Sequence, residues 1–177
     1  MAKEAIYKTQ GIIIKKADLG EADRLFTIYT QNYGKLHLRA KSVRKNESKL
    51  KGFLELFTYA EFFIARSKTI DIITDVNPLD VFPALHASLT SLGKAYYASE
   101  ILDKLIAGPE RDESLWHLIL DYFQKLDTAI EANDFESCLL ILLGYRLPAS
   151  QPPTEYIQTL INEKINSVFW LRLTNPK

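Results

Sequence analysis

GKLHLRAKSVRKNESKLKG, residues Gly34–Gly52, begins as a strand and ends as a charged loop. From Lys35 to Lys41 apolar and cationic residues alternate. Leu36, Leu38 and Ala40 fall on one face, and Lys35, His37, Arg39 and Lys41 on the other, because a strand sends successive side chains to opposite sides. The stretch holds Lys35, Arg39, Lys41, Arg44, Lys45, Lys49 and Lys51 against the single acid Glu47. So many cations in so short a span repel one another, which favours a polyanion outside as their counterpart. The competing reading is a solvated strand and loop whose charges only keep a sheet edge from pairing with its neighbours.

Working outward, the flanking segments also read as strands. Ile6–Lys16 contains Gly11 and the β-branched run Ile12, Ile13 and Ile14, and ADLGEADR (Ala17–Arg24) reads as a turn. In Arg24–Thr30, Leu25, Thr27 and Tyr29 share one face and Phe26 and Ile28 the other, so both faces are expected to be covered. QNYG breaks the chain at Gly34. Beyond the polar loop Ser42–Lys51 come an aromatic-rich strand Leu56–Ala65, a turn at Ser67–Thr69, and a fifth strand Ile70–Val76 stopped by Asn77 and Pro78. Five consecutive strands with no helical period between them predict a small barrel of the oligonucleotide-binding (OB) type, since closure removes exposed sheet edges.

After Pro78 the period changes to three and four. Pro83–Ala107 reads as a helix with Leu85, Leu89, Leu92, Tyr96, Ser99, Leu102, Leu105 and Ile106 inward. A second helix runs from Glu113 or Ser114 to about Ile130, with Leu115, Leu118, Ile119, Tyr122, Phe123 and Leu126 inward. A third is capped by Asp134 and ends at Leu143 before Gly144, and a fourth opens at Thr154 and runs to about Asn166. The apolar tail around Val168–Leu173 is expected to fold back onto the protein. The predicted class is α+β: an N-terminal five-stranded OB-type barrel, residues 1–80, followed by an α-helical bundle, residues 81–177.

Composition fits this division. The formal charge is zero over 177 residues, yet residues 1–80 hold 14 Lys and Arg against 10 Asp and Glu, and the remainder 8 against 12. The basic half is the one predicted to be the barrel. One cysteine, Cys138, excludes an intrachain disulfide and a cysteine zinc cluster, and points to the cytosol. No apolar run approaches the ~20 residues a membrane crossing needs. No phosphate loop, HExxH or nucleophile elbow occurs, and His37, His86 and His117 are scattered, so an enzyme is not expected.

The segment TQGIIIKKADLGEADRLFTIYTQNYGKLHLRAKSVRK, residues 9–45, resembles the opening of the RecO family of bacterial DNA repair and recombination mediators. The resemblance is carried by Gly11–Ile14, Gly20, Glu21, Asp23, Arg24, Thr27, Thr30, Tyr33, Gly34, Lys35, Ala40, Lys41 and Arg44. Ser42 stands where the family often has glycine. The resemblance implies an OB barrel and a helical domain, binding of single- and double-stranded DNA, and annealing of complementary strands. It further implies cooperation with RecR, docking of the C-terminal tail of single-stranded DNA-binding protein, recombinase loading, and a cytoplasmic, nucleoid-associated location. Many members carry a four-cysteine zinc element after the helix ending in LLGY. Here Leu142–Tyr145 continues into RLPASQPP with no cysteine to follow, and the chain ends early for the family.

On this reading the DNA-binding candidates are Lys35, Arg39, Lys41, Arg44, Lys45, Lys49 and Lys51, with the later residues on a flexible loop, and Lys15, Lys16 and Arg24 in second rank. Arg24 is read first as a structural partner of Glu21 or Asp23. Tyr33 and His37 are possible base-stacking residues, although both types are more often half-buried. Lys94, Lys104 and Arg111 are the cations on offer to an acidic partner peptide in a groove between helices. No metal or other cofactor is expected. The rival function is an RNA-binding or ribosome-associated barrel without annealing activity.

Overall fold

The computed structural model describes residues 6–83, 85, 88–126 and 132–168, which divide into two compact units. The first comprises residues up to Val81 together with Ala107–Asp112, and the second comprises Phe82–Ile106 and the chain from Glu113 onward.

Five strands build the first unit: β1 (Ile6–Leu19), β2 (Asp23–Thr30), β3 (Gly34–Ala40), β4 (Tyr59–Ala65) and β5 (Ile72–Asp80). They close in the order β1-β2-β3-β5-β4. All neighbours are antiparallel except β3 and β5, which meet in parallel through the pair Arg39 and Ile72, supported by a bond from Arg39 N to the Asp71 carbonyl at 2.9 Å. The result is an OB-like sheet with a narrow closing seam. Gly11 and Ile12 of β1 are paired on both edges at once, with Thr30 and Tyr29 of β2 and with Ala60 and Tyr59 of β4. At Gly11 a Cβ would lie 2.7 Å from Ile28 Cγ2 and 2.9 Å from the Tyr29 carbonyl oxygen, so only glycine lets the strands cross there. The core inside the sheet is Ile13, Phe26, Ile28, Leu38, Ala40, Phe62, Ile64, Ile73 and Val76, joined by Val43 and Leu54 from the β3–β4 loop. Leu38 and Ala40 point inward as their alternation requires, with Leu36 only half-buried.

Three strands differ from the sequence reading by more than one residue. β1 runs on to Leu19, paired with Asp23, so the turn shrinks to Gly20–Ala22. β4 starts at Tyr59 and not Leu56, because Phe57 sits at φ +67 and the chain here bonds to the β1 bulge, Phe57 N to Ile13 O at 2.8 Å and Ile13 N to Thr58 O at 3.1 Å. β5 begins at Ile72 and passes through Asn77 and Pro78 to Asp80. Past Ile72 its ladder partner is β4 alone, and a strand proline is tolerated where one edge is open.

Ala107–Asp112 packs with the barrel. Gly34 has φ +65, and a Cβ there would overlap the backbone of Glu110. Asp112 and burial both raise the Tyr29 phenol, burial more strongly.

The second unit contains α1 (Leu89–Leu105), α2 (Glu113–Gln124), α3 (Ala132–Leu142) and α4 (Pro153–Ile161). Ser88 caps α1, accepting from Ser91 N, so this helix starts later than Pro83. Its inward face also differs. Ser91, Gly93, Ala95, Tyr97, Ala98, Ser99, Ile101 and Leu102 are buried, whereas Leu89 is 62% and Tyr96 42% exposed. A stripe of small residues lets helices approach closely, and the Leu and Tyr periodicity concealed it. α2 ends at Gln124 and buries Trp116 in addition to the expected Leu115, Ile119, Tyr122 and Phe123; Leu118 is only partly covered. Asp134 lies inside the first turn of α3 and does not cap it, and α4 has Pro152 at its N-cap and ends at Asn162 with φ +51. His86 and the tail from Phe169 lie outside the described residues.

Glu136 of α3 is fully buried, accepting hydrogen bonds from Tyr97 Oη of α1 and from Thr154 Oγ1 of α4 at 2.9 Å. Burial pushes its pKa up to about 7 from an ordinary 4.5. The folded state therefore holds a proton that the unfolded state releases between those values, so stability falls as pH rises through that window and levels off above it. The expected loss is roughly 3 kcal/mol. Denaturant titrations at pH 5 and pH 8 check this: Glu136→Gln should remove the slope and be the more stable form at pH 8. For Gly34→Ala, the left-handed backbone and the clash with Glu110 predict a loss of roughly 2–4 kcal/mol, read as a lowered denaturation midpoint.

Candidate nucleic-acid interface

The β3–β4 loop is a chain of tight turns and not a flexible tether. Lys45 N bonds to Ser42 O, Ser48 N to Lys45 O, Lys51 N to Ser48 O and Leu54 N to Leu50 O, at 3.1 to 3.3 Å. Val43 and Leu54 are each 1% exposed, fixing both ends of the loop in the barrel core. Arg44 N donates to the Ala22 carbonyl at 2.9 Å and Arg44 Nη1 to the Gly20 carbonyl at 3.0 Å, which fastens the loop to the β1–β2 turn.

The carboxylates around this loop sort the candidate cations. Arg39 Nε and Nη2 both donate to Asp23 Oδ2, the former at 2.7 Å, while Asp23 Oδ1 accepts from Ser42 N at 2.7 Å. The Ser42 bond and then Arg39 hold the Asp23 carboxyl below its usual range. Ser42 has φ +54, the conformation that explains glycine at this place in the resembling family, and the Asp23 bond secures it here. Arg24 Nε donates to Asp18 Oδ1 at 2.9 Å, so its structural role holds but its partner is neither Glu21 nor Asp23. Arg44 Nη2 lies 3.4 Å from Asp18 Oδ2, and Lys16 pairs with Glu55. Lys35, expected on the solvent face, is instead 6% exposed and has an interaction within the protein. Lys15 is exposed and has an interaction within the protein.

What remains outward is Lys41, Lys45, Lys49 and Lys51. All four are exposed. Lys51 donates to Asn46 Oδ1 at 3.1 Å, and the other three form no side-chain hydrogen bond or ion pair among the described residues. On β3 itself Lys35 is buried and Arg39 is paired with Asp23, so the positive surface belongs to the loop that starts at Lys41. Tyr33 stands edge-on to Tyr7 at 4.9 Å between centroids, and His37 Nδ1 lies 3.2 Å from Thr27 Oγ1. Arg66, which sequence reasoning did not select, lies 5.2 Å above the Tyr7 ring, whose hydroxyl donates to Asp71 at 2.7 Å. The adjacent aromatic and basic residues were visible in the sequence, but nothing local marked them as meeting.

In the helical unit Lys104 is engaged by Glu163 at 2.6 Å and Glu100 at 3.6 Å, and Lys94 is half-buried with an interaction of its own. Arg111 belongs to the barrel unit. A shallow pocket between α2 and α3 is lined by Leu118, Asp121, Tyr122, Asp134, Phe135 and Cys138. Its charged rim is acidic and contains none of the three candidate cations. Among the described residues no helix is long and apolar enough to cross a membrane, and no group of three His, Cys, Asp or Glu could hold a metal ion.

An OB-like sheet with a basic loop, joined to a helical unit, is the class of protein that these elements define. Residues 1–82 match the family described as "Recombination protein O N terminal". Relatives named DNA repair protein RecO include those of Roseiflexus sp. (35% identical over 148 residues, 81% of this chain and 52% of the relative) and Dehalococcoides mccartyi strain 195 (35% over 150 residues, 82% and 59%). A third, from Desulfitobacterium hafniense strain DCB-2, is 31% identical over 144 residues, 80% of this chain and 53% of the relative. Residues 1–82 are thus an N-terminal domain of the RecO family, about four-fifths of the chain is similar to these relatives, and the chain spans a little over half their length.

If Arg39 serves Asp23 and not a phosphate, Arg39→Ala should lower the denaturation midpoint of the barrel and change DNA affinity by less than about twofold. Denaturation and a fluorescence-anisotropy titration of the same variant provide the two readouts. A large loss of affinity with unchanged stability would reverse the assignment.

Proposed function

We propose that this chain binds DNA through the β3–β4 loop and acts in DNA repair and recombination. The observation that carries the reading is the gathering of Lys41, Lys45, Lys49 and Lys51, exposed and outside any direct ion pair among the described residues, on one loop fixed at both ends by Val43 and Leu54. A fixed array of ammonium groups releases counterions from a phosphate backbone and needs no reacting group to do so. It also offsets the mutual repulsion of two strands, which is the physical requirement for annealing. The names of the relatives support the repair role. Annealing, recombinase loading, cooperation with RecR and docking of the tail of single-stranded DNA-binding protein enter the proposal from family resemblance. For the tail, the acidic rim of the α2–α3 pocket argues for a different landing place, since an acidic peptide would be repelled there. Arg111, with Lys94 and Lys104, stays in the proposal as the cationic candidates for such a peptide.

The rival, an RNA-binding barrel, shares the same loop and differs in preference. Salt titrations with duplex DNA, single-stranded DNA and RNA separate the two. Four neutralised phosphates give a log–log slope for duplex DNA of about −3.6, and replacing the four lysines with alanine should flatten it by more than half. A wild-type slope near zero, or a variant that binds as well as wild type, would remove the proposal. Preference for RNA at equal salt would favour the rival.

A further inference from the structure

The charged loop also displays an aromatic ring that the charge argument does not use. Phe53 is 48% exposed, although it directly precedes Leu54, which is 1% exposed. Its backbone is held, with Phe53 N donating to the Leu50 carbonyl at 3.1 Å, and Leu50 packs against the barrel core. Among the described residues the ring has no aromatic or cationic partner. A single exposed phenylalanine is ordinary on a protein surface, so its setting decides. Lys49 and Lys51 stand exposed just before it, and the next acid along the chain, Glu55, is engaged by Lys16. A flat apolar ring on an ordered backbone, with exposed lysines two and four residues before it in the chain, matches an alternation of bases and phosphates better than it matches an apolar protein surface.

We propose that Phe53 is a stacking platform for one unpaired nucleobase, with the adjoining phosphates held by Lys49 and Lys51. This rests on the reading of the loop as a nucleic-acid surface and deepens it by naming the single strand as the form the ring selects. Bases in a duplex are stacked on one another and present no free face, so the duplex uses the lysines and not the ring.

The test uses the full chain with Phe53→Ala, Phe53→Leu and Phe53→Trp, titrated against an oligothymidylate about 20 nucleotides long and a duplex of equal length. Circular dichroism verifies folding, which an exposed side chain should not disturb. Phe53→Ala and Phe53→Leu should weaken single-strand binding by roughly 5- to 100-fold and leave duplex binding within about twofold. Phe53→Trp should retain the affinity, and its added emission should be quenched by the oligonucleotide. Equal losses on both forms, full binding by the leucine variant, or no change would overturn the inference; in the last case a partner protein becomes the occupant to seek. The variant replacing Lys41, Lys45, Lys49 and Lys51 tells which reading has failed. If it loses binding while Phe53→Ala does not, only the role of Phe53 falls. If wild type binds neither form, both readings fall.

Discussion

β1 has to satisfy two neighbours at the same residues. At Gly11 and Ile12 it bonds to β2 on one edge and β4 on the other, and this double engagement turns a meander into a closed sheet. The requirement is steric before it is energetic, because two backbones and the Ile28 side chain converge where a Cβ would stand. Everything the barrel displays follows from that crossing. It sets which parity of each strand faces inward, and it leaves the β3–β4 chain to travel over one end of the barrel and to bury Val43 and Leu54 on the way.

The second ordering principle is the distribution of carboxylates. Asp18, Asp23 and Glu55 stand at the same end of the barrel as the basic loop and neutralise Arg24, Arg44, Arg39 and Lys16. Such pairs are worth little stability where water screens them, but they fix guanidinium groups in place and remove them from competition for an outside anion. The loop lysines Lys41, Lys45, Lys49 and Lys51 stay outside these ion pairs. The surface that results is carried by ammonium groups, which attract phosphate as point charges and impose little directional selectivity.

The five strands and the inward parity of Leu38 and Ala40 were legible because alternation is a local signal. Segments such as Arg24–Thr30, apolar on both faces, correctly announced burial on both sides. The site was legible as a stretch but not residue by residue. Lys35 looks like Lys41 in the string, yet one is buried and the other exposed, and alternation along a strand does not report what the rest of the chain covers. The partners of Arg39 and Lys16 are remote, and no spacing rule finds them. The helical unit misled for another reason. Leu85, Ser99, Leu102 and Ile106 are buried as their spacing suggested, but α1 also turns small residues inward and leaves Leu89 and Tyr96 out, so counting large apolar residues found only part of the face. Glu136 shows the same limit, for nothing in FESC distinguishes a buried carboxyl from a solvated one.

The return of Ala107–Asp112 to the barrel bears on how the protein is made. A chain leaving the ribosome can pair β1 through β5 once Asp80 has emerged, but the backbone that settles against Gly34 is synthesised after the whole of α1. The nascent barrel therefore has one corner uncovered until α1 and then that later strap have cleared the exit tunnel.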